Sequence, residues 1–528
     1  MKRIISFILK PFGENLMLLL SLWLLASAAD VFYWSIHGNP VFGGYMGVHG
    51  LIQVYFIVLI LGFFRGKAFR ILKTILIALG GINLIADACV HHIMHFSFTG
   101  DMVAIILGSN ASEAAEFLPM YLSMEVVGFV LAVLAMVTLL LVFGKKYFPR
   151  IPLLIQYILL AGLLLSVAIV VYRKSNNWEG LFLNKIGLFL SYEKPVDLSQ
   201  YRSDPDIIKT GDQPETIVLI IGESLSKTHC SLYGYERETT PLLDAMAADS
   251  LIIPFNHIEA AYTNTVGAFK RFMSTYSNSP DEGKEWYEYT FLEDIVSSGG
   301  YQTYWISNQS SSGIYDNVVA RFASLSDHVQ WVGPKGMGIG KSNPDGDVLP
   351  YVEQTRDISG EKKFIIVHLM GSHEGFEARY TTEYKRFSPE DYVDKPEGQR
   401  WLLSAYDNSV LYSDYVVSSI MHLFDKQEAL VIFFPDHSLD IFDSDPTYVG
   451  HARTGDAVSE AAGKSIPLVV YPTEKYRLRF PEKTRQIEEA VDHRFNMEEL
   501  PYTIMDLANL NFRLDTNRIQ VSLLNAHP

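Results

Sequence analysis

Residues that can bind a metal ion follow three separate β-rich runs of this sequence. They are Glu223 after the run 216–221, His373 after 364–369, and Asp436 with His437 after 430–434. Because open α/β sheets bind ligands at the carboxyl ends of their strands, we expect these side chains to meet at one sheet edge. Carboxylate oxygen and imidazole nitrogen are ligands that a zinc-like ion accepts in catalytic sites. Each residue alone is more often a helix cap or loop residue, but together they predict a metal centre.

Thr265 is the candidate nucleophile for such a centre. It ends the stretch Thr263-Asn264-Thr265 and precedes 266–276, which predicts a helix. Backbone N–H groups and the helix dipole at that N-terminus favour an alkoxide and a phosphoryl oxygen. A threonine that only caps the helix fits the same position, and the local sequence leaves both interpretations open.

The element pattern after position 215 indicates how these residues are positioned. Short β-rich runs alternate with helical stretches, which predicts an α/β catalytic domain over 215–528 with a mainly parallel sheet covered by helices. The runs are 216–221, 301–307, 364–369, 430–434 and 466–471.

The first third of the chain predicts a five-helix transmembrane domain, residues 1–174. Five apolar stretches are long enough, or nearly so, for helices of roughly 20 residues that cross a bilayer core. They are 16–36, 51–64 with its flanks, 71–90, 121–143 and 151–172, and the second is the weakest. The following segment, 175–214, carries apolar residues among polar ones, which suits an interfacial helix and linker or a packed surface helix.

Basic residues predict the orientation of this domain. The loops 37–50 and 91–120 contain no Lys or Arg, whereas the opposite side carries Lys2, Arg3, Lys10, Arg65, Lys67, Arg70, Lys73, Lys145, Lys146 and Arg150. Since short cytoplasmic loops collect basic residues, we expect the N-terminus inside and the catalytic domain outside. Ala26-Ser27-Ala28 also resembles a signal-peptide cleavage site, and cleavage there would leave the catalytic domain on the same side.

Charge and cysteine content exclude two classes of protein. A formal charge of −16 over 528 residues argues against a nucleic-acid-binding surface. The two cysteines, Cys89 and Cys230, do not form a disulfide framework, because Cys89 lies in an apolar stretch.

Several motifs together resemble those of bacterial phosphoethanolamine transferases, which belong to the sulfatase/alkaline-phosphatase-like superfamily. The opening motif runs from Ile221-Gly222-Glu223-Ser224 to Ser231-Leu232-Tyr233-Gly234-Tyr235 and on to Thr240-Pro241. Trp305–Gln309, His368–His373 and Asp436-His437 follow in the family's order. Five spans before an external catalytic domain are also the family's layout, so the resemblance covers essentially the whole chain.

The resemblance implies roles for individual residues. Glu223, Asp436 and His437 would bind zinc, and Thr265 would both contact the metal and act as the nucleophile. His373 and His451 match two further family histidines, which lie over the phosphoryl group or hold a second metal ion. Asn308, within the Trp305–Gln309 motif, is a candidate substrate contact.

Two segments depart from the family pattern. The family continues Asp-His with Gly and then Glu, whereas Ser438-Leu439-Asp440 follows here, so a metal contact from this loop is in doubt. Many members also fix the nucleophile loop with disulfides, but Ala261 and Arg271 occupy the corresponding positions.

The predicted outer loop 91–120 contains two further candidate sites. Its stretch 109–114 resembles the family's membrane-domain motif, and Glu113 could pair with an ethanolamine ammonium or be a solvated loop carboxylate. His91 and His95 have the spacing of metal ligands on a helix, but we expect interfacial or solvated histidines there.

These observations predict transfer of phosphoethanolamine from phosphatidylethanolamine to a cell-envelope acceptor through a phospho-threonine-type intermediate. His373 or His451 would supply the leaving group's proton. The expected cofactor is one tightly bound Zn²⁺ with room for a second, and the expected acceptors are lipid A, core sugar, glycan or protein. We expect a monomer in the inner membrane with a periplasmic catalytic domain. A phosphoglycerol transferase and a catalytically inactive envelope scaffold are the alternatives.

Overall fold

In the computed structural model the chain divides near position 193 into two compact units. The structure describes residues 2–36, 40–94, 122–147, 151–172, 185, 190, 196–309, 318–333, 343–446, 448–453, 455–513 and 521–526. Glu113, His95 and most of 175–195 lie outside these residues, so the predictions made for them are not addressed by the structure.

The first unit is a bundle of apolar helices. They are α1 Lys2–Ile8, α2 Lys10–Gly13, α3 Leu16–Ile36, α4 Pro40–Leu61, α5 Gly66–Met94, α6 Met124–Tyr147 and α7 Leu153–Tyr172. Among the described residues, α3, α4, α5 and α6 are long and apolar enough to cross a membrane, and α7 contributes a shorter apolar stretch, Leu153–Ile169. Each predicted span therefore corresponds to a helix, although α7 falls below the length of the others.

The prediction that residues 37–50 form an outer loop is wrong for most of that segment, which belongs to helix α4. The helix begins at Pro40, so most of that segment is helical. Its glycines resemble a loop in sequence, but they form the face that packs against α3. A Cβ at Gly47 would lie 2.9 Å from Val31 Cγ2, and one at Gly50 would lie 1.8 Å from Ser27 Oγ. Small residues that allow such close approach are typical of helix contacts within membranes.

His91 corrects the expectation of an interfacial or solvated histidine. It lies on α5 and is buried, with Nε2 2.8 Å from Asp30 Oδ1 of α3. Its ring stacks on Tyr33, with the centroids 4.5 Å apart. His91, one of the two histidines with metal-ligand spacing, therefore forms a buried polar pair with Asp30 that joins α5 to α3.

A second buried polar group of the first unit joins α5 to Lys185. Lys185 Nζ pairs with the Asp87 carboxylate and donates to Asn83 Oδ1 at 3.1 Å. Asn83 Nδ2 in turn donates to Asp87 Oδ2 at 2.9 Å, and all three side chains are buried. A buried charge is stable only when it is paired and hydrogen-bonded, so each member depends on the others.

The second unit contains one large sheet among the described residues, ordered β3-β11-β8-β2-β7-β5-β6. Its strands are β2 Thr216–Gly222, β3 Ile253–Phe255, β5 Tyr301–Ser307, β6 His328–Trp331, β7 Lys362–His368, β8 Ala429–Pro435 and β11 Leu468–Pro472. The smaller pairings are β1 Ile207–Lys209 with β13 Leu510–Phe512, β4 His257–Glu259 with β12 Arg494–Asn496, and β9 Asp440–Ile441 with β10 Val449–Gly450.

Helices cover both faces of this sheet. They are α8 Pro241–Ala248, α9 Thr265–Phe272, α10 Leu292–Ser298, α11 Val318–Ala323, α12 Leu349–Arg356, α13 Glu397–Leu423, α14 Ala457–Lys464, α15 Glu474–Arg479, α16 Pro481–Glu489 and α17 Leu500–Leu507. Short 3₁₀ helices are Leu198–Tyr201, Lys227–His229, Ser231–Tyr233, Trp286–Glu288, Asp345–Val348, Phe376–Ala378, Thr382–Tyr384, Pro389–Tyr392 and Met497–Glu499.

The strand sequences explain why the sheet is buried on both sides. Along β2, Ile217 and Leu219 pack into the core on one face, while Val218 and Ile220 pack into the core on the other. Near-continuous apolar runs of this kind are typical of parallel strands covered by helices. Strands β8, β2, β7, β5 and β6 run parallel to one another, whereas β11 pairs antiparallel with β8 and β3. The sheet is therefore mainly parallel, as predicted, with an antiparallel edge.

We predict that Lys185→Met destabilises the membrane unit, because it leaves the Asp87 carboxylate buried without its cation. Loss of one partner of a buried ion pair costs about 3–5 kcal/mol, whereas replacing both partners with apolar residues is often neutral. The free energy of unfolding in mixed micelles should fall for Lys185→Met and recover in the double variant Asp87→Leu/Lys185→Met. A single variant as stable as the wild type would show that the pair contributes nothing.

Candidate active site

Three neighbouring strands end at the same edge and deliver the predicted metal ligands to it. Strand β2 lies between β7 and β8, and Ile221 near its end is aligned with His368 of β7 and Phe434 of β8. The residues after these strands are therefore at one level along the sheet. Register, rather than any single residue, is what brings the three strand-end motifs together.

A sharp turn after β2 positions Glu223. Ser224 has φ 56°, a left-handed conformation that is uncommon for a residue other than glycine. Its hydroxyl donates to Glu223 Oε1 at 3.1 Å. Across the edge, Gly371 approaches so closely that a Cβ there would lie 2.6 Å from the Glu223 nitrogen. The Ser372 N–H donates to the Glu223 carbonyl oxygen at 2.9 Å, which fixes the backbone of the turn.

The Asp436-His437 pair is fixed by its own backbone. Asp436 Oδ1 accepts hydrogen bonds from the N–H groups of His437 at 2.7 Å and Ser224 at 3.3 Å. The Nδ1–H of His437 donates to the Ser438 carbonyl oxygen at 2.8 Å. This bond directs His437 Nε2 toward the centre, which is the orientation a metal-binding imidazole requires.

Thr265 is the first residue of helix α9, and it is not the helix cap. Asn264 fills the cap position, because its side chain accepts a hydrogen bond from Gly267 N at 2.9 Å. Thr265 Oγ1 donates to Glu223 Oε1 at 3.1 Å and lies 3.4 Å from His437 Nε2. The alternative of a threonine that only caps the helix does not agree with this geometry.

The spacing of these four side chains fits a tetrahedral metal ion. His437 Nε2 lies 3.2 Å from Glu223 Oε1 and 3.6 Å from Asp436 Oδ2. Ligands held about 2.0–2.2 Å from zinc in a tetrahedron lie about 3.3–3.6 Å from one another. Among the described residues, Glu223, Asp436 and His437 form the one group of such ligands within 4.8 Å of one another. Asp436 Oδ2 is buried and receives no hydrogen bond from any described residue, so it is available to a cation.

The pKa values of the three candidate ligands show how strongly their charges act on one another. Burial raises the pKa of Asp436, and the Glu223 carboxylate raises it further, to about 8. Burial opposes charge on Glu223 as well, but the hydrogen bond and charge of His437 outweigh it and hold the pKa of Glu223 below its usual range. Burial lowers the pKa of His437, but the two carboxylates outweigh this and raise it to about 9. A divalent ion bound between these three side chains would displace protons from them and favour the charged carboxylates.

His373 and His451 lie beside these ligands. The His451 ring is 4.9 Å from the His437 ring, centroid to centroid. Burial lowers the pKa of His373 to about 4 and that of His451 to about 3. Both imidazoles are therefore neutral at neutral pH.

Asn308 and its neighbour Gln309 have different environments. The Asn308 amide donates to Asn343 O at 2.9 Å and to Asp345 Oδ1 at 2.8 Å, so its amide group supports a loop. Gln309 Nε2 donates to Glu223 Oε2 at 3.3 Å. Gln309 could not be recognised from the sequence as a neighbour of Glu223, because an amide carries no metal-ligand signal in this motif.

Asp440 organises the loop that departs from the family pattern. Its buried carboxylate accepts hydrogen bonds from the backbone N–H groups of Asp443 at 3.1 Å and Ser444 at 3.0 Å. It also accepts one from the Ser459 hydroxyl at 2.7 Å. These bonds join the loop to helix α14, so Asp440 has a supporting role beside the metal ligands.

Arg271, at a position where many family members have a disulfide, holds the segment around Thr265 in place. Its guanidinium lies 4.5 Å from the centre of the Tyr262 ring, and Nη1 donates to Gly267 O at 2.8 Å. Nε donates to Asn278 Oδ1 at 2.7 Å. A cation–π contact and two hydrogen bonds thus join the residues on either side of Thr265 without a covalent link.

Comparison with known proteins reveals several similar chains. The sulfatase family profile matches residues 215–510. Over 503 residues the chain is 26% identical to phosphoethanolamine transferase EptC of Escherichia coli strain K12, covering 89% of this chain and 86% of that protein.

Two solved structures are also similar. The C-terminal periplasmic domain of E. coli EptC, crystallised in complex with Zn, superposes with TM-score 0.54 at 26% identity, over 58% of this chain and 86% of that one. The integral membrane lipooligosaccharide phosphoethanolamine transferase A of Neisseria meningitidis superposes with TM-score 0.68 at 18% identity, over 94% of this chain and 96% of that one. These matches confirm the predicted fold class, in which apolar N-terminal helices precede a sulfatase/alkaline-phosphatase-like α/β domain.

We predict that Asp436→Ala or His437→Ala in the full-length chain removes bound zinc without unfolding the catalytic unit. Both residues follow the end of a strand, and their side chains point into the centre rather than into a hydrophobic core. The zinc content, measured by elemental mass spectrometry, should fall in each variant, while the far-UV circular dichroism spectrum should show unchanged secondary structure. His422→Ala, which removes a half-exposed histidine at the end of α13, is the matched control. Zinc content equal to that of the wild type would contradict the assignment.

Proposed function

This chain belongs to the sulfatase family, and we propose that it is a membrane-anchored, zinc-dependent phosphoethanolamine transferase. The observation that carries this proposal is the position of Thr265, whose hydroxyl lies at metal-ligand spacing from Glu223 and His437. A hydroxyl in that position can be activated as a nucleophile. The similarity to phosphoethanolamine transferases, which extends over most of the chain, supports the choice of transferred group.

Glu223, Asp436, His437 and Thr265 are the residues that would hold the zinc ion. A zinc ion there would lower the pKa of the Thr265 hydroxyl and neutralise charge on the phosphoryl oxygens. The chain supplies the orientation. The first turn of α9 directs the hydroxyl at the centre, and Ser224 and Gln309 hold the Glu223 carboxylate by hydrogen bonds.

The reaction proceeds in two displacements at phosphorus. In the first, His373 or His451 accepts the proton of the Thr265 hydroxyl, Thr265 Oγ bonds to the phosphorus of phosphatidylethanolamine, the bond from phosphorus to the diacylglycerol oxygen breaks, and the same histidine returns the proton to that oxygen. In the second, an acceptor oxygen bonds to phosphorus and the bond to Thr265 breaks. The donor is a lipid and the acceptor is polar, so a covalent intermediate lets the two partners bind in turn.

His373 and His451 act in this scheme as neutral imidazoles. Either histidine can supply the proton of the diacylglycerol leaving group once it has accepted the proton of the Thr265 hydroxyl. A neutral imidazole next to the centre can accept the proton of the acceptor hydroxyl in the second displacement. It can also donate an N–H hydrogen bond to a phosphoryl oxygen.

We assign the enzyme to the bacterial cytoplasmic membrane, with residues 1–174 as anchor, 175–214 as linker and 215–528 as a periplasmic catalytic domain. The distribution of basic residues supports this orientation. The acceptor belongs to the envelope, as a glycolipid, glycan or protein, and the chain acts as a monomer. Among the relatives, those named for an acceptor act on lipid A or lipooligosaccharide.

We predict that the full-length enzyme, given phosphatidylethanolamine and no acceptor, accumulates a phosphoethanolamine adduct on Thr265. A two-step displacement can stop at its midpoint when the second substrate is missing. Peptide mapping by mass spectrometry should place the adduct on Thr265, and Thr265→Ala should abolish both the adduct and transfer.

Thr263→Ala is the matched control, since it removes the same hydroxyl two residues away and should retain substantial activity. An adduct on Thr263, or full turnover by Thr265→Ala, would contradict the assigned nucleophile. A phosphoglycerol adduct formed from phosphatidylglycerol, with none from phosphatidylethanolamine, would contradict the assigned donor.

A further inference from the structure

Glu374 is a carboxylate beside the metal ligands that the mechanism does not use. Its backbone is fixed, because Arg379 donates to the Glu374 carbonyl oxygen at 3.1 Å and to the His373 carbonyl oxygen at 3.2 Å. Its side chain is 10% exposed and receives no hydrogen bond from any described residue. The nearest polar atom recorded for it is His451 Nδ1, 4.0 Å from Oε1, which is too long for a hydrogen bond.

The position of Glu374 places it at the centre, outside the set of metal ligands. His451, its neighbour, packs against His437 with the rings tilted by 42°, and the charges of His437 and Glu223 both act on Glu374. Among the described residues, the group with metal-ligand spacing contains Glu223, Asp436 and His437 and does not include Glu374. A second metal ion is therefore not what the geometry around Glu374 supports.

A third carboxylate at this site opposes binding of the reacting group. Two carboxylates, Glu223 and Asp436, can be balanced by one divalent ion, but burial disfavours charge on the third, Glu374, and raises its pKa to about 7. The phosphodiester of the donor is itself an anion, and like charges in a site of low dielectric repel strongly. The repulsion is relieved when the substrate brings a cation to Glu374. An ethanolamine headgroup has such a cation, and a glycerol headgroup does not.

We propose that Glu374 binds the ammonium group of the phosphoethanolamine headgroup and so determines headgroup specificity. This inference rests on the proposed function, because it assumes that phosphorus is held at Thr265. The ammonium lies at the end of a two-carbon chain from the phosphate, and Glu374 lies next to His451, which itself packs against His437 beside Thr265. A charge-assisted hydrogen bond from ammonium to a buried carboxylate gives the site a preference that an uncharged headgroup cannot satisfy.

The test compares two soluble donors that differ only at the end of the headgroup. One is p-nitrophenyl phosphoethanolamine, and the other is p-nitrophenyl ethyl phosphate, in which hydrogen replaces the ammonium. The full-length enzyme in detergent should prefer the ethanolamine donor in kcat/KM. Glu374→Gln, which keeps the shape and removes the charge, should reduce the ratio of the two kcat/KM values by about 10- to 100-fold, the effect of losing one hydrogen bond to a charged group. Glu374→Asp should retain part of the preference.

Controls separate this inference from the proposed function. Glu377→Gln removes an exposed carboxylate three residues away and should keep the wild-type ratio. Wild-type zinc content in Glu374→Gln is expected, and its loss would show that Glu374 is a metal ligand instead. Two outcomes would overturn the role of Glu374 and leave the proposed function intact. The wild-type enzyme could transfer phosphoethanolamine with no preference between the donors, or Glu374→Gln could leave the ratio of the two kcat/KM values unchanged. A wild-type enzyme that transfers no phosphoethanolamine from either this donor or the lipid would overturn the proposed function, and the inference with it.

Discussion

The repulsion between two buried carboxylates, Glu223 and Asp436, is the interaction on which the rest of the site depends. Adjacent parallel strands end at one level, so their following residues are forced together whether or not their charges are compatible. The protein reduces this repulsion only in part, through His437 and backbone N–H groups. A bound cation would complete the balance, and the proposed role of Thr265 follows from it, because a hydroxyl that shared this cation would become reactive.

The surrounding structure serves to hold this unfavourable arrangement in place. The left-handed turn at Ser224 and the close approach of Gly371 leave Glu223 little freedom to move away. Two further residues stabilise the neighbouring segments. Asp440 holds the loop after His437 by hydrogen bonds, and Arg271 contacts the residues around Thr265. Both are departures from the family pattern, and both hold their segments through hydrogen bonds.

The strand-end rule predicted Glu223, His373, Asp436 and His437 from sequence, because short apolar runs followed by polar residues reveal both the strand and its carboxyl end. The same rule could not identify Glu374 or Gln309, whose importance depends on which way a side chain points after the strand has ended. Local sequence also left open whether Thr265 caps the helix, and in the structure Asn264 occupies the cap, while the role of Thr265 as nucleophile stays a prediction. In the membrane unit, glycines that resemble a loop proved to be a helix-packing face, and His91 proved to be buried against Asp30. Both errors arose because burial against a neighbouring helix is not visible in the hydropathy of one segment.

Mass spectrometry of envelope fractions tests the central claim most directly. Cells that carry the intact enzyme should contain an envelope glycolipid, glycan or protein with an added phosphoethanolamine group, and cells that carry only Thr265→Ala should lack it. The difference should disappear when the wild-type chain is restored. An added phosphoglycerol group in place of phosphoethanolamine, or identical envelope components in the two strains, would contradict the account.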